Sequence, residues 1–198
     1  MQTNTTKNKL FSYSIIRLLN YSITQLFNYS IILKKILILS DTHGYIDDAI
    51  ETHARSVDEI WHAGDVGSDE VLQRLQNCAP VKAVSGNIDG YEIYTQIPKV
   101  LAFETEQIRI LLTHIGGNPP NYTYDFVKEI AKHKPNIVVT GHSHILKVMP
   151  DRNRDLLFIN PGAIGNSGFH NVRTMILLTL DAGKVIDMQV VEYNRDRD

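Results

Sequence analysis

Cysteine is almost missing from this sequence: among 198 residues, Cys78 stands alone. One thiol closes no internal disulfide and builds no thiolate cage, so metal chemistry must run on oxygen and nitrogen donors, and a reducing cytoplasm is the expected setting. Excess charge of one sign is missing too. Lys and Arg number 20 against 22 Asp and Glu, a formal net charge of −2, which offers no polybasic surface to a phosphate backbone. No apolar run is long enough to cross a bilayer. With 43% hydrophobic and 21% charged residues, the composition is that of a globular fold rather than a disordered or collagenous chain. A length of 198 residues suits one sizeable domain.

The first third of a hundred residues stands apart. "LFSYSIIR", "LLNYSITQ" and "LFNYSIIL", from Leu10 to Leu33, form a tandem repeat whose eight-residue period matches neither a helix nor a heptad. Polar residues interrupt it every few positions and no small-residue cleavage site follows, so it reads neither as a signal peptide nor as a membrane span. We take residues 1–33 as a repeat-containing appendage and 34–198 as a separate domain, the one to which the motifs below belong. The sequons at Asn4, Asn20 and Asn28 are by-products of an Asn- and Ser-rich tract.

From Lys34 onward, short β-branched runs alternate with helical stretches, an α/β pattern. "ILIL", "EIWHAGD" and "VKAVSGN" read as buried strands separated by the helical "DDAIETHARS" and "SDEVLQRLQNC", which implies βαβ crossovers and parallel pairing. "KVLAFET" and "QIRILLTH" should form a hairpin. "YTYDFVKEIAKHKP" is a helix stopped at Pro135, and "NIVVTGH" the next strand. Four more strands follow without a helix: "HILKVM", "LLFINP", "RTMILLTL" and "KVIDMQVVEY". Two packed mixed sheets with helices outside are expected.

The chemistry gathers where these strands end. The exits read "SDTHG", "HAGDVG", "SGNID", "LLTHIGG" and "TGHSHI", and ligands of α/β sheets bind outside the carboxyl ends of strands. The set is Asp41, His43, Asp65, Asn87, His114, His142 and His144. A lone Asp after a strand is ordinarily a helix cap, and a lone buried His an ordinary hydrogen-bonded core residue. Five exits in succession carrying such residues are not something packing requires. Seven hard or borderline donors exceed the needs of one tetrahedral ion and suit two ions sharing a ligand, the arrangement of two-metal hydrolases acting on phosphorus. The i, i+2 spacing of Asp41/His43 and His142/His144 is expected to put each pair on one side of an extended chain.

The ordered motifs "DTH", "GD", "GNID", "THIGG" and "GHSH", with "NPGA" at Asn160 to Ala163, resemble the calcineurin-like metallophosphoesterases, in particular the YfcE-like phosphodiesterase branch. The resemblance spans about Lys34 to Tyr193. It implies a four-layer αββα sandwich of two mixed β-sheets. It also implies two divalent ions, Mn²⁺ first with Fe²⁺, Zn²⁺, Co²⁺ or Ni²⁺ also suited. Asp41, His43 and His144 would bind one ion, Asn87, His114 and His142 the other, and Asp65 both. Hydroxide shared by the ions would attack phosphorus, with Asp65, Asn87 and His114 acting through the metals and no protein nucleophile. The implied substrate is a small phosphate ester, with neither nucleic acid nor membrane as specific partner and homo-oligomerisation left open.

Many members of the family place a His at the third position of GNxD, where it can protonate the leaving group; here Ile88 stands there. Departure of the ester would then depend on the acidity of the leaving group. Asp89 is read as a support one contact removed from the metals, His62 as packing beneath the site, His53 as exposed and His133 as a favourable helix-terminal charge. His170 is left unassigned, and Tyr91 and Tyr94 are read as local packing. Three alternatives bear on this reading. A phosphomonoesterase stays open, a non-catalytic scaffold like the small retromer subunit is expected to lack ligands, and a repair nuclease needs the missing His and a basic groove.

Overall fold

The computed structural model describes residues 33–168 and 170–195. The repeat-bearing appendage proposed for residues 1–33 therefore lies outside the described residues, Leu33 excepted. The strands are β1 (Lys34–Leu39), β2 (Glu59–His62), β3 (Val81–Ala83), β4 (Val100–Thr105), β5 (Ile108–Thr113), β6 (Gly117–Asn118), β7 (Asn121–Tyr122), β8 (Ile137–Val139), β9 (Leu146–Asp151), β10 (Leu156–Pro161), β11 (Val172–Asp181) and β12 (Lys184–Asn194). The helices are α1 (Asp48–Ala54), α2 (Asp69–Gln76), α3 (Tyr91–Tyr94) and α4 (Tyr124–His133).

Two five-stranded mixed sheets result, ordered β12-β11-β1-β2-β3 and β4-β5-β8-β10-β9. The expected parallel run β1-β2-β3 forms, as does the β4/β5 hairpin. Parallel and antiparallel pairing are not divided between the two halves of the chain, however. β1 has antiparallel β11 on its other side, and β8 lies parallel to both β5 and β10. A first strand whose last four positions, Ile36 to Leu39, are all apolar and buried needs neighbours on both edges, and the long β11 supplies the second.

Alternation along each strand sets the layers. In β1, Ile36 and Ile38 join Trp61, Ile110, Val139, Ile159 and Ile176 between the two sheets, while Leu37 and Leu39 face the other way, onto Ile50 of α1 and Val71, Leu72 and Leu75 of α2. The second sheet repeats the plan, with Leu111, Val138 and Phe158 against Phe126 and Ile130 of α4. Helix, sheet, sheet, helix is the order of layers, as the resemblance implies. Asp47 caps α1 by accepting the Ile50 N–H at 2.9 Å, and α4 ends where Lys134 turns left-handed (φ 46°) ahead of Pro135. The short α3 and the β6/β7 ribbon are not signalled by the sequence; elements of four and two residues are too short to carry a period.

Candidate metal centre

The exits of β1, β2 and β3 in one sheet and of β5 and β8 in the other meet at one edge of the sandwich. Backbone hydrogen bonds continue the sheet past its strand ends: Asp41 N–H donates to Gly64 O (3.0 Å), His43 N–H to Asp65 O (3.0 Å) and Gly44 N–H to Val66 O (2.8 Å). On the other flank Ile164 and Gly165 donate to the carbonyls of Ser40 and Asp41, both at 3.1 Å. The second sheet reaches across at Gly141, where an added Cβ would stand 2.1 Å from Ser40 Oγ and 2.9 Å from His114 Nδ1. Only glycine allows that approach.

All seven candidate ligands converge. Asp41, His43 and His144 form one trio and Asp65, His114 and His142 a second, the donor atoms within each trio lying within 4.8 Å of one another. Asn87 joins the second trio, its Oδ1 3.1 Å from His114 Nε2. Asp65 faces both: Oδ1 is 3.2 Å from His114 Nε2 and Oδ2 is 3.8 Å from His43 Nε2. The carboxylates and His114 form the buried floor, while Asn87 and His142 stand exposed at the mouth.

How the pairs come together differs from the extended-chain expectation. Asp41 (φ 56°), His43 (50°), Asp65 (53°), His142 (67°) and His144 (58°) are all left-handed. A kink at each ligand re-aims the side chain, so Asp41 and His43 share a trio whereas His142 and His144 part into different ones. Each such residue costs roughly 1 kcal/mol, several in sum for a fold whose net stability is about 5–15 kcal/mol. Five of the ten non-glycine residues with positive φ among the described residues are these donors, and backbone strain held in place by surrounding structure clusters at functional sites.

The donor set is one that could hold a cation. His114 Nδ1 lies 2.8 Å from Ala63 O. A carbonyl only accepts, so Nδ1 carries a hydrogen; Nε2, facing the oxygens of Asp65 and Asn87, donates to Asp65 when the ring is protonated and offers a lone pair to a cation when it is neutral. His43 Nε2 and His144 Nε2 face each other at 3.3 Å, and His144 Nε2 is 3.2 Å from Asp41 Oδ1. That Oδ1 atom is buried with no hydrogen-bond donor, an arrangement that fits a metal ligand. Burial works to raise the Asp65 carboxyl, yet hydrogen bonds from His114 and the Ile88 N–H hold it below the usual range. Burial likewise works against a proton on His114, and the adjoining Asp65 and Asp41 outweigh it. Two trios of hard and borderline donors with a shared carboxylate fit two divalent cations.

Supporting residues lie beneath. Asp89 accepts the N–H groups of Gly67 and Gly86, each at 2.7 Å, and so ties the Asp65 loop to the Asn87 loop. Asn160 is the residue whose role sequence reasoning missed: its buried amide donates to Gly141 O (2.8 Å) and Ser143 Oγ (3.1 Å) while its Oδ1 accepts the Gly162 N–H (3.0 Å). It holds the loop that carries His142 and His144, and the sole hint was an Asn at a strand end before Pro-Gly. His53 is half-buried, not exposed, with Nε2 3.0 Å from Tyr193 Oη; the long β12 brings that tyrosine over α1. His133 pairs with Glu129 at 3.2 Å, Tyr94 Oη donates to Gly86 O at 2.8 Å, and Tyr91 and His170 are exposed.

His62 does pack beneath the site, fully buried. Its Nδ1 accepts the Gly64 N–H at 3.2 Å, so Nε2 carries the hydrogen and donates to Thr42 Oγ1 at 2.9 Å, whose own hydrogen goes to Val66 O. Burial first, and a second hydrogen at Nδ1 that would meet an N–H, keep this ring neutral down to about pH 4. The unfolded imidazole titrates near 6.5, so between these values the unfolded state binds the extra proton and stability falls as the pH falls. About 3 kcal/mol should be lost over that window. Denaturant midpoints of chelator-treated protein at pH 7 and 4.5 read this directly; His62→Gln should flatten the acid limb, and an unchanged limb would contradict the assignment.

A model of the calcineurin-like phosphoesterase superfamily domain matches residues 35–183. A probable metallophosphoesterase of Methanothermobacter thermautotrophicus is 32% identical over 132 residues, which cover 64% of this chain and 74% of that protein. Among solved structures, wild-type Vps29 from Entamoeba histolytica complexed with Zn²⁺ superposes with a TM-score of 0.64 at 16% identity, covering 82% of this chain and 99% of the other. A structure described as that of a novel archaeal phosphodiesterase does so at 0.58 and 24%, covering 79% and 99%. At these identities the two structures speak for the fold.

Proposed function

The chain belongs to the calcineurin-like phosphoesterase superfamily, and from that premise we propose that it hydrolyses phosphodiesters, with two divalent ions held by Asp41, His43, Asp65, Asn87, His114, His142 and His144. The observation that carries this reading is the double exposure of Asp65, one carboxylate oxygen toward each trio. Mn²⁺ is the first candidate, with Fe²⁺, Zn²⁺, Co²⁺ and Ni²⁺ suited to the same donors. When bound, such a pair lowers the pKa of water between the ions and draws charge from the phosphoryl oxygens. The likeness to an archaeal phosphodiesterase favours a diester over a monoester. We take residues 34–198 as the catalytic unit.

The chain's own residues set the geometry. Buried Asp41 and Asp65 are acceptors fixed by backbone on both flanks, and His114 is locked in one tautomer by Ala63 O. Asn87, exposed at the mouth, is placed to steady a phosphoryl oxygen with its amide. Ile88 beside it has no proton to give and stands 46% exposed. A positioned general acid is worth about 10²–10⁴-fold, so without one, diesters with alkyl leaving groups should trail aryl diesters by at least about 100-fold. Rates on a series of diesters of graded leaving-group pKa, with Mn²⁺ added and chemistry limiting, test this; a flat series would overturn it. Faster turnover of aryl monoesters than diesters in the same assay would reassign the substrate class.

A further inference from the structure

The metal centre opens sideways into a cleft of about 630 Å³. Asn87 and His114 form its inner end, and it runs between the segment after α3 and the first turns of α4. Ile115, Val100 and Phe126 give it an apolar wall, and Tyr94 stands where the backbone of Gly86 holds its hydroxyl at 2.8 Å.

The four charges lining this cleft balance in number, Lys99 and Lys128 against Asp125 and Glu129, but they are unevenly paired. On the α4 side, Asp125 pairs with Lys128 at 3.3 Å, and Glu129 with His133 at 3.2 Å and Lys132 at 3.5 Å. The Lys128 ammonium also caps the Tyr124 ring at 4.0 Å. On the opposite side Lys99 has its ammonium 5.3 Å from the Tyr94 ring centroid, and among the described residues no carboxylate pairs with it. The Lys99 carbonyl accepts from Thr113 Oγ1 (3.2 Å), one residue before His114, which fixes the lysine's origin relative to the site.

Resting on the phosphodiesterase reading above, we propose that this cleft receives one ester substituent of the substrate, and that this substituent combines a flat or apolar body with a second anionic group bound by Lys99. A nucleotide with a further phosphate has that chemistry. The body lies along Ile115, Phe126 and Tyr94, and the ammonium, already over an aromatic ring, meets the anion at the open end. Ile115 directly follows His114, and Tyr94 is tied to Gly86 beside Asn87, so this side of the cleft is built from the segments that carry two of the ligands.

Competitive inhibition of bis(p-nitrophenyl) phosphate hydrolysis by thymidine 3′,5′-bisphosphate and by thymidine 5′-monophosphate tests this. The two probes differ by one phosphate. In the unsubstituted protein the bisphosphate should bind about fivefold more tightly at low salt, with the advantage shrinking as salt rises. In Lys99→Gln the ratio of the two inhibition constants should approach one, and Lys99→Arg should restore it; the ratio cancels any general loss of activity in a variant. A ratio near one in the unsubstituted protein, or a ratio that Lys99→Gln leaves unchanged, overturns the cleft assignment. Absence of diester turnover in the unsubstituted protein with metal added overturns the phosphodiesterase reading instead, and the same ratio is then read by calorimetry.

Discussion

Asp65→Asn should remove both metals together and lower diester turnover by at least about 100-fold, the upper range seen when even a residue behind the ligands is lost. The substitution keeps the shape of the side chain and can keep its bond from the Ile88 N–H, which the carboxylate accepts at 3.1 Å. What it removes is the charge between the trios, and it turns one acceptor into a donor aimed at His114 or His43. Neither trio is then neutralised as a cation requires: the first retains Asp41 alone as carboxylate, the second none. Metal analysis after purification without chelator, with a thermal melt as a folding check, separates loss of binding from loss of fold. Near-normal turnover, or one ion retained at full affinity, would sink the shared-ligand reading.

Gly86→Ala should be nearly as damaging, by a different route. A Cβ there would lie 2.0 Å from Asp65 Oδ1 and 2.3 Å from the Asp65 backbone nitrogen. The first contact could be relieved by swinging the carboxylate out of its shared position; the second involves backbone pinned by the His43 N–H to Asp65 O hydrogen bond. Overpacking of this kind costs about 1–3 kcal/mol, occasionally more, and contact with fixed backbone puts this case at the top of the range. Activity should fall further than stability accounts for, because the residue displaced is the one both trios share. Gly90→Ala is the control: nothing lies within 4 Å of its added Cβ, and it should stay within about 1 kcal/mol of the unsubstituted protein. Equal midpoints for the two variants would contradict the close approach.

The convergence of the seven donors was legible in the sequence because the same event recurs: an aliphatic run, then a polar donor beside glycine, at successive strand ends. Repetition of that kind survives errors in any one element. What was not legible is how each donor is aimed. Asp41, His43, Asp65, His142 and His144 turn left-handed, and nothing in their identity announces it, since Asp and His reach that region only when surrounding structure holds them there. The holding bonds come from Gly64, Val66 and Gly165, far along the chain from Asp41 and Gly44. Asn160 escaped for the same reason: its partners Gly141 and Ser143 sit on a loop that only the β8/β10 pairing brings alongside. The neighbours of β1 were half legible, β2 through its short crossover and β11 not at all, because pairing across more than a hundred residues leaves no local pattern.

On the reading proposed above, side chains from both sheets hold two cations around the Asp65 carboxylate. Electron paramagnetic resonance of chelator-treated protein titrated with Mn²⁺ tests it most directly, since ions sharing a carboxylate at about 3.5–4 Å are magnetically coupled. Two equivalents should bind, with an exchange-coupled spectrum at saturation that disappears in Asp65→Asn. Saturation at one equivalent, or two magnetically isolated ions, would contradict it.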